Sequence, residues 1–140
     1  MESTQARKEL ARADRLGSTS RSTAARWYAR YLVIYGIASF GLASTFGFVD
    51  PRLATAVTMP IWLVIIIGLS VWSMRQRTAI RGFGSLHGAV IGTWAAAWAI
   101  TIGLGTSVFA GSWPWFVGGG VAMAIPAFVG AYVTHRRGRA

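Results

Sequence analysis

Polar and apolar positions along this chain fall into long blocks. Residues 1–26 are polar, and four uncharged runs of about twenty residues follow, separated by two short turns and one basic loop. A soluble amphipathic helix would be interrupted by polar residues every turn or so. Uncharged runs of roughly 18 residues or more instead read as transmembrane helices. The pattern predicts an all-α integral membrane bundle of four transmembrane helices over 27–48, 53–74, 85–109 and 113–134. A basic arm (1–26) precedes the transmembrane domain (27–134), and a basic tail (135–140) follows it.

Within the arm, residues 5–16 are expected to form a short helix, and Gly17, Ser18, Thr19 and Ser20 to break it as a flexible link. Leu10 and Leu16 alone make too poor an apolar face for strong membrane insertion. The basic lead is long, no twin arginine precedes the apolar run, and no small-x-small cleavage signal follows. The first membrane helix is therefore expected to be retained, with Ser22 or Thr23 as its N-cap. Trp27, Tyr28 and Tyr31 open it at the expected headgroup level. Asp50-Pro51 should close one helix and start the next. Pro60 should bend the second helix, with Thr55 and Thr58 serving the carbonyls it frees. The aliphatic run 63–67 suits a lipid-facing role. The fourth helix should start at Ser112 with Pro114 in its first turn, and kink at Pro126.

The third segment has the most regular pattern. Gly84, Gly88, Gly92 and Ala96 recur every fourth residue, so at roughly 100° per residue they share one broad face. Such a ladder lets another backbone approach closely. The first helix offers Gly36 and Gly47, and the fourth Gly118, as small-residue stripes to meet it. The simplest expectation buries the ladder inside the monomer; the alternative turns it outward as a homodimer seam.

Charge then sets orientation. Of 14 basic residues, thirteen lie in the arm with the start of the first helix, the middle loop and the tail, leaving only Arg52 in the two other loops. Basic residues mark cytoplasmic flanks, so both termini are expected in the cytoplasm, with the protein in the cell membrane. Arg7, Lys8, Arg12, Arg15, Arg21, Arg26, Arg30, Arg75, Arg77, Arg81, Arg136 and Arg137 are the expected contacts to anionic headgroups. A formal net charge of +10 fits that reading better than nucleic acid, which is not an expected partner. The chain has no cysteine, which removes thiolate chemistry and lipidation at cysteine.

Candidate chemistry is sparse. His87 lies one turn into the third helix on a stripe with Ile91, Trp94 and Trp98. A proton or ligand contact would need a partner there, and no ionisable one is at hand: Asp50 should lie across the membrane and His135 in the tail. Interfacial contact with headgroups or a helix-end carbonyl is the expected role. Trp94 and Trp98 are expected to fill space beside the glycine groove or face lipid; lining a ligand pocket is the alternative. Isolated serines lack a base, and two distant histidines make no metal site. No catalytic residue, metal or cofactor is expected.

In helix count the chain resembles the small multidrug resistance exporters and the fluoride channels. Those exporters use a carboxylate inside the first helix, and here that helix has none. Members of both families often insert in two orientations, which a thirteen-to-one charge bias opposes. In Ala, Gly and Arg usage it resembles the uncharacterised small membrane proteins of high-GC actinobacteria, a likeness that carries no residue roles. The expected function is non-enzymatic: an accessory or anchoring subunit acting through lipid or a membrane-protein partner, or as a homo-oligomer. The alternative is a subunit of an oligomeric channel or transporter for a small solute.

Overall fold

The computed structural model describes residues 2–75 and 83–139. Most of the middle loop, with Arg77, Arg81 and Gly82, lies outside the described residues. Among those described, the chain forms four helices: α1 (Glu2–Phe48), α2 (Pro51–Arg75), α3 (Phe83–Ser107) and α4 (Trp113–Arg137). All four are long and apolar enough to cross a membrane.

The expected break in the arm does not occur. α1 is one helix of 47 residues, about 70 Å long at 1.5 Å per residue. Ser18 Oγ and Thr19 Oγ1 both donate to the Arg15 carbonyl at 2.9 Å, and Ser22 Oγ donates to that of Thr19 at 3.0 Å. These hydroxyls bond back onto the helix instead of capping it, so Ser22 and Thr23 lie inside α1. Starting a helix is the costly step. The apolar part of α1 supplies a formed helix to extend, and a single glycine costs only about 1 kcal/mol.

The α1–α2 turn follows the sequence. An Asp50 carboxylate oxygen accepts from the amides of Arg52 (2.9 Å) and Leu53 (3.4 Å), capping a helix that begins at Pro51. Pro60 and Pro126 both sit inside continuous helices. Thr55 Oγ1 donates to the Pro51 carbonyl at 2.8 Å, and Thr58 Oγ1 has no partner. Neither therefore serves the Ala56 carbonyl that Pro60 frees. Between α3 and α4, Gly111 takes φ 78°, a left-handed conformation that glycine adopts without strain. Ser112 occupies the N-cap position of α4 without a side-chain cap; its carbonyl accepts from Trp115 and Phe116 at 3.1 and 3.4 Å.

α4 is the central helix. It packs most extensively on α1 and next on α3, whereas α2 touches α1 more lightly. Glycines mark the α1–α4 seam. A Cβ on Gly36 would lie 3.3 Å from Ala127 Cβ, one on Gly120 would lie 3.1 Å from the Phe40 carbonyl oxygen, and one on Gly47 would lie 2.7 Å from Trp113 Cα. As α1 advances, its neighbours on α4 fall steadily in number, the mark of an antiparallel pair. The α3–α4 seam runs the same way. A Cβ on Gly130 would lie 2.8 Å from the Val90 side chain, one on Gly119 would overlap Thr101, and one on Gly105 would lie 2.6 Å from the Phe116 ring.

The ladder of α3 takes no part in either seam. Gly84, Gly88, Gly92 and Ala96 are exposed, and a Cβ on any of the three glycines would meet nothing within 4 Å. Internal burial of the ladder is thus overturned. Gly118 is likewise exposed and open, whereas Gly36 and Gly47 do sit at close approaches. α3 turns its bulky face inward because that face carries the rings and hydrogen-bonding groups that need partners. Of the run 63–67 on α2, Leu63, Val64 and Ile67 are at least 58% exposed, whereas Ile65 packs partly buried against the core.

Candidate functional site

The inward stripe of α3 carries His87, Ile91, Trp94 and Trp98, spaced three or four residues apart. Opposite it on α1, Tyr28, Tyr31 and Tyr35 follow the same spacing. Tyr28 is only 1% exposed, so this ring is packed inside the bundle instead of being open on its outer surface. Its Oη lies 3.0 Å from His87 Nδ1; the tautomer of His87 decides which of the two donates. The sequence alone names no partner for His87, and the fold brings it the Tyr28 phenol.

From there the rings run inward in contact. Tyr28, Tyr31 and Tyr35 stack successively at 5.8 and 6.2 Å between centroids. Tyr35 meets Trp62 and Trp94, each at 5.3 Å. Trp62 stacks on Trp94 at 5.4 Å, and Trp94 on Trp98 at 6.5 Å. At the N-terminal end of the column, Trp27 packs edge-on against Trp72 at 5.4 Å. Trp94 Nε1 donates to Ser39 Oγ at 3.0 Å, and that hydroxyl donates to the Tyr35 carbonyl at 2.7 Å. Trp115 Nε1 similarly reaches the Thr101 carbonyl at 2.9 Å. Buried indoles usually find such acceptors; Trp27 Nε1 is buried without one.

The Tyr28–His87 and Trp94–Ser39 hydrogen bonds therefore tie α1 to α3. Trp94 and Trp98 face away from the glycine ladder and do line a narrow apolar cleft, with Ser39, Phe46, Thr58 and Met123 among its other walls. About 20 Å³ of it is open to a water-sized sphere, room for one water.

Thr58 Oγ1 lines that cleft without a hydrogen-bond partner, and the residue is 5% exposed. Ser39, Thr93 and Thr134 instead donate to the carbonyl four residues earlier. An unsatisfied buried hydroxyl costs about 1–3 kcal/mol. Thr58→Val keeps the shape and removes that cost, so it should raise the thermal midpoint in detergent. A fall would mean that the hydroxyl has an essential partner.

Other groups are scattered or form a separate cluster. Arg7, Lys8, Arg12 and Arg15 are exposed along the polar half of α1, Arg30 is exposed a turn beyond Arg26, and Arg75 ends α2. The Arg136 guanidinium lies 5.6 Å from the Tyr132 ring centroid. Arg21, Arg26 and Arg137 converge where α1 passes the end of α4. Among the described residues, no three His, Cys, Asp or Glu side chains gather as a metal site would require. The tyrosine stripe and Trp62 were not singled out as site residues in the sequence, although the spacing of Tyr28, Tyr31 and Tyr35 was there to find. No known protein family, curated protein or solved structure matches the chain.

Proposed function

We propose that this chain is a non-enzymatic integral protein of the cytoplasmic membrane, with both termini in the cytoplasm, serving as an accessory or anchoring subunit. Four spans put the two termini on one side, and the excess of basic residues at both ends favours the cytoplasm. The observation that carries the reading is the outward glycine ladder of α3, which no other helix approaches among the described residues. Lipid gains nothing from such a groove, whereas a second backbone does. The seam assigned to it joins two copies of the chain, because two identical small-residue faces meet symmetrically about a two-fold axis. The channel reading has less support: Ser44, Thr45, Thr93 and Thr106 spend their hydroxyl hydrogens on their own helices.

Gly88→Leu tests this reading. The mutant should keep the thermal midpoint of the parent chain, since Gly88 faces open space. In mild detergent the parent should run as a dimer and the mutant as a monomer. A monomeric parent, or a mutant that stays dimeric, would remove the seam from α3.

A further inference from the structure

We infer that the crossing of α1 and the end of α4 forms a binding site for a lipid headgroup bearing two phosphates. This rests on the membrane reading above. Two grooves adjoin there, of about 350 and 300 Å³. The first is lined by Ser22, Ala25, Arg26, His135, Gly138 and Arg139. The second shares Ser22, Gly138 and Arg139 and adds Arg21 and Arg137 beside Ser18 and Thr19. Four arginines therefore line two adjoining grooves, and among the described residues no Asp or Glu lines either of them.

The backbone holds this arrangement in place. Gly138 closes α4, its amide donating to the Thr134 carbonyl at 3.0 Å. A Cβ there would lie 2.5 Å from Ala25 Cβ, so only glycine lets α1 and the end of α4 come this close. The Arg139 amide then donates to the Arg136 carbonyl at 3.2 Å, and this turn carries Arg139 to the boundary between the two grooves. Ser18, Thr19 and Ser22 already give their hydrogens to backbone carbonyls, and Arg26 Nε is directed at the Ser22 carbonyl at 3.4 Å, so the side-chain donors left for an anion are the remaining guanidinium N–H groups and the His135 ring.

Arginine is suited to phosphate because its planar fork can present two N–H groups at once. Four of them exceed what a single phosphodiester can neutralise, and the two-part shape suits two phosphates set apart on one headgroup. Arg21 and Arg26 lie within two turns of Trp27, where the first apolar run begins, which is the depth expected of headgroups on the membrane reading. Basic pockets at this depth are suited to such lipids.

The test uses the full-length protein in neutral detergent, titrated with cardiolipin, phosphatidylglycerol or inorganic pyrophosphate and followed by native mass spectrometry and thermal shift. Cardiolipin should bind one to one and raise the midpoint, well ahead of phosphatidylglycerol at matched charge. Arg26→Gln with Arg139→Gln should weaken cardiolipin binding about 30-fold, at roughly one factor of five per basic group. Arg7→Gln with Lys8→Gln removes the same charge elsewhere in the arm and should change it little. Gly138→Leu, which pushes the end of α4 off α1, should also weaken it. Equal losses in the two double variants, or equal binding of the two lipids, would overturn the site. Pyrophosphate binding as tightly as cardiolipin would assign the grooves to a free phosphate and overturn the lipid headgroup. Failure of the chain to enter bilayer nanodiscs would overturn the membrane reading itself, and that result is read separately.

Discussion

Gly47→Leu is expected to destabilise the bundle more than any other single glycine replacement on α1. A Cβ at Gly47 would stand 2.7 Å from the Cα of Trp113 and 3.3 Å from the Cβ of Phe116. The nearest obstacle is backbone, which cannot rotate aside as a side-chain tip would. Overpacking costs about 1–3 kcal/mol, and a rigid obstacle places this case at the upper end. Gly41 is the natural control: a Cβ there would meet nothing within 4 Å. In detergent, Gly47→Leu should lower the thermal midpoint clearly while Gly41→Leu leaves it unchanged. Matching midpoints would mean that α1 and α4 do not close on each other at this end.

Phe116→Ala should produce the second large loss. Phe116 is 0% exposed, stacks on Phe46 at 5.9 Å between centroids, and its ring fills the notch left by Gly105. In a water-soluble core such a truncation costs about 3–5 kcal/mol. Part of that is transfer to water, and here the alternative surroundings are lipid tails as apolar as the core. What remains is lost dispersion contact around the cavity, so about 2 kcal/mol is expected. Phe116→Leu, which refills most of the space, should lose less. A midpoint unmoved by alanine would show that lipid already reaches Phe116 and that the end of the bundle is open.

The helices were legible because charge is a strong signal in a bilayer. The charge-free runs located α2, α3 and α4 to within three residues at each end, and Phe48 as the last residue of α1. Asp50-Pro51 was legible for a related reason: its capping chemistry is local. Two things were not. Gly17 to Ser20 reads as a link when propensities are judged one by one, but a helix already formed extends through it at small cost. The ladder's period defined a face of α3, and period alone does not say where that face points. The choice was made by Trp94 and His87, whose ring atoms needed Ser39 and Tyr28 on another helix. Likewise Gly105, Gly119 and Gly130 matter because of Phe116, Thr101 and Val90 opposite them, partners that no spacing within one helix reveals.

The unbroken course of α1 has a mechanical consequence. Had residues 2–26 been a flexible tether, the N-terminal tip would wander within about 25–30 Å of its root. As a helix, the same stretch is a strut of about 37 Å, several Debye lengths long at physiological salt. Arg7 and Lys8 at its far end are thus electrically isolated from headgroups at the Trp27 end when the strut stands upright. Leverage replaces reach: whatever grips the tip is held at a set height, and any tilt or turn applied there passes without slack to Tyr28 and the ring column it begins.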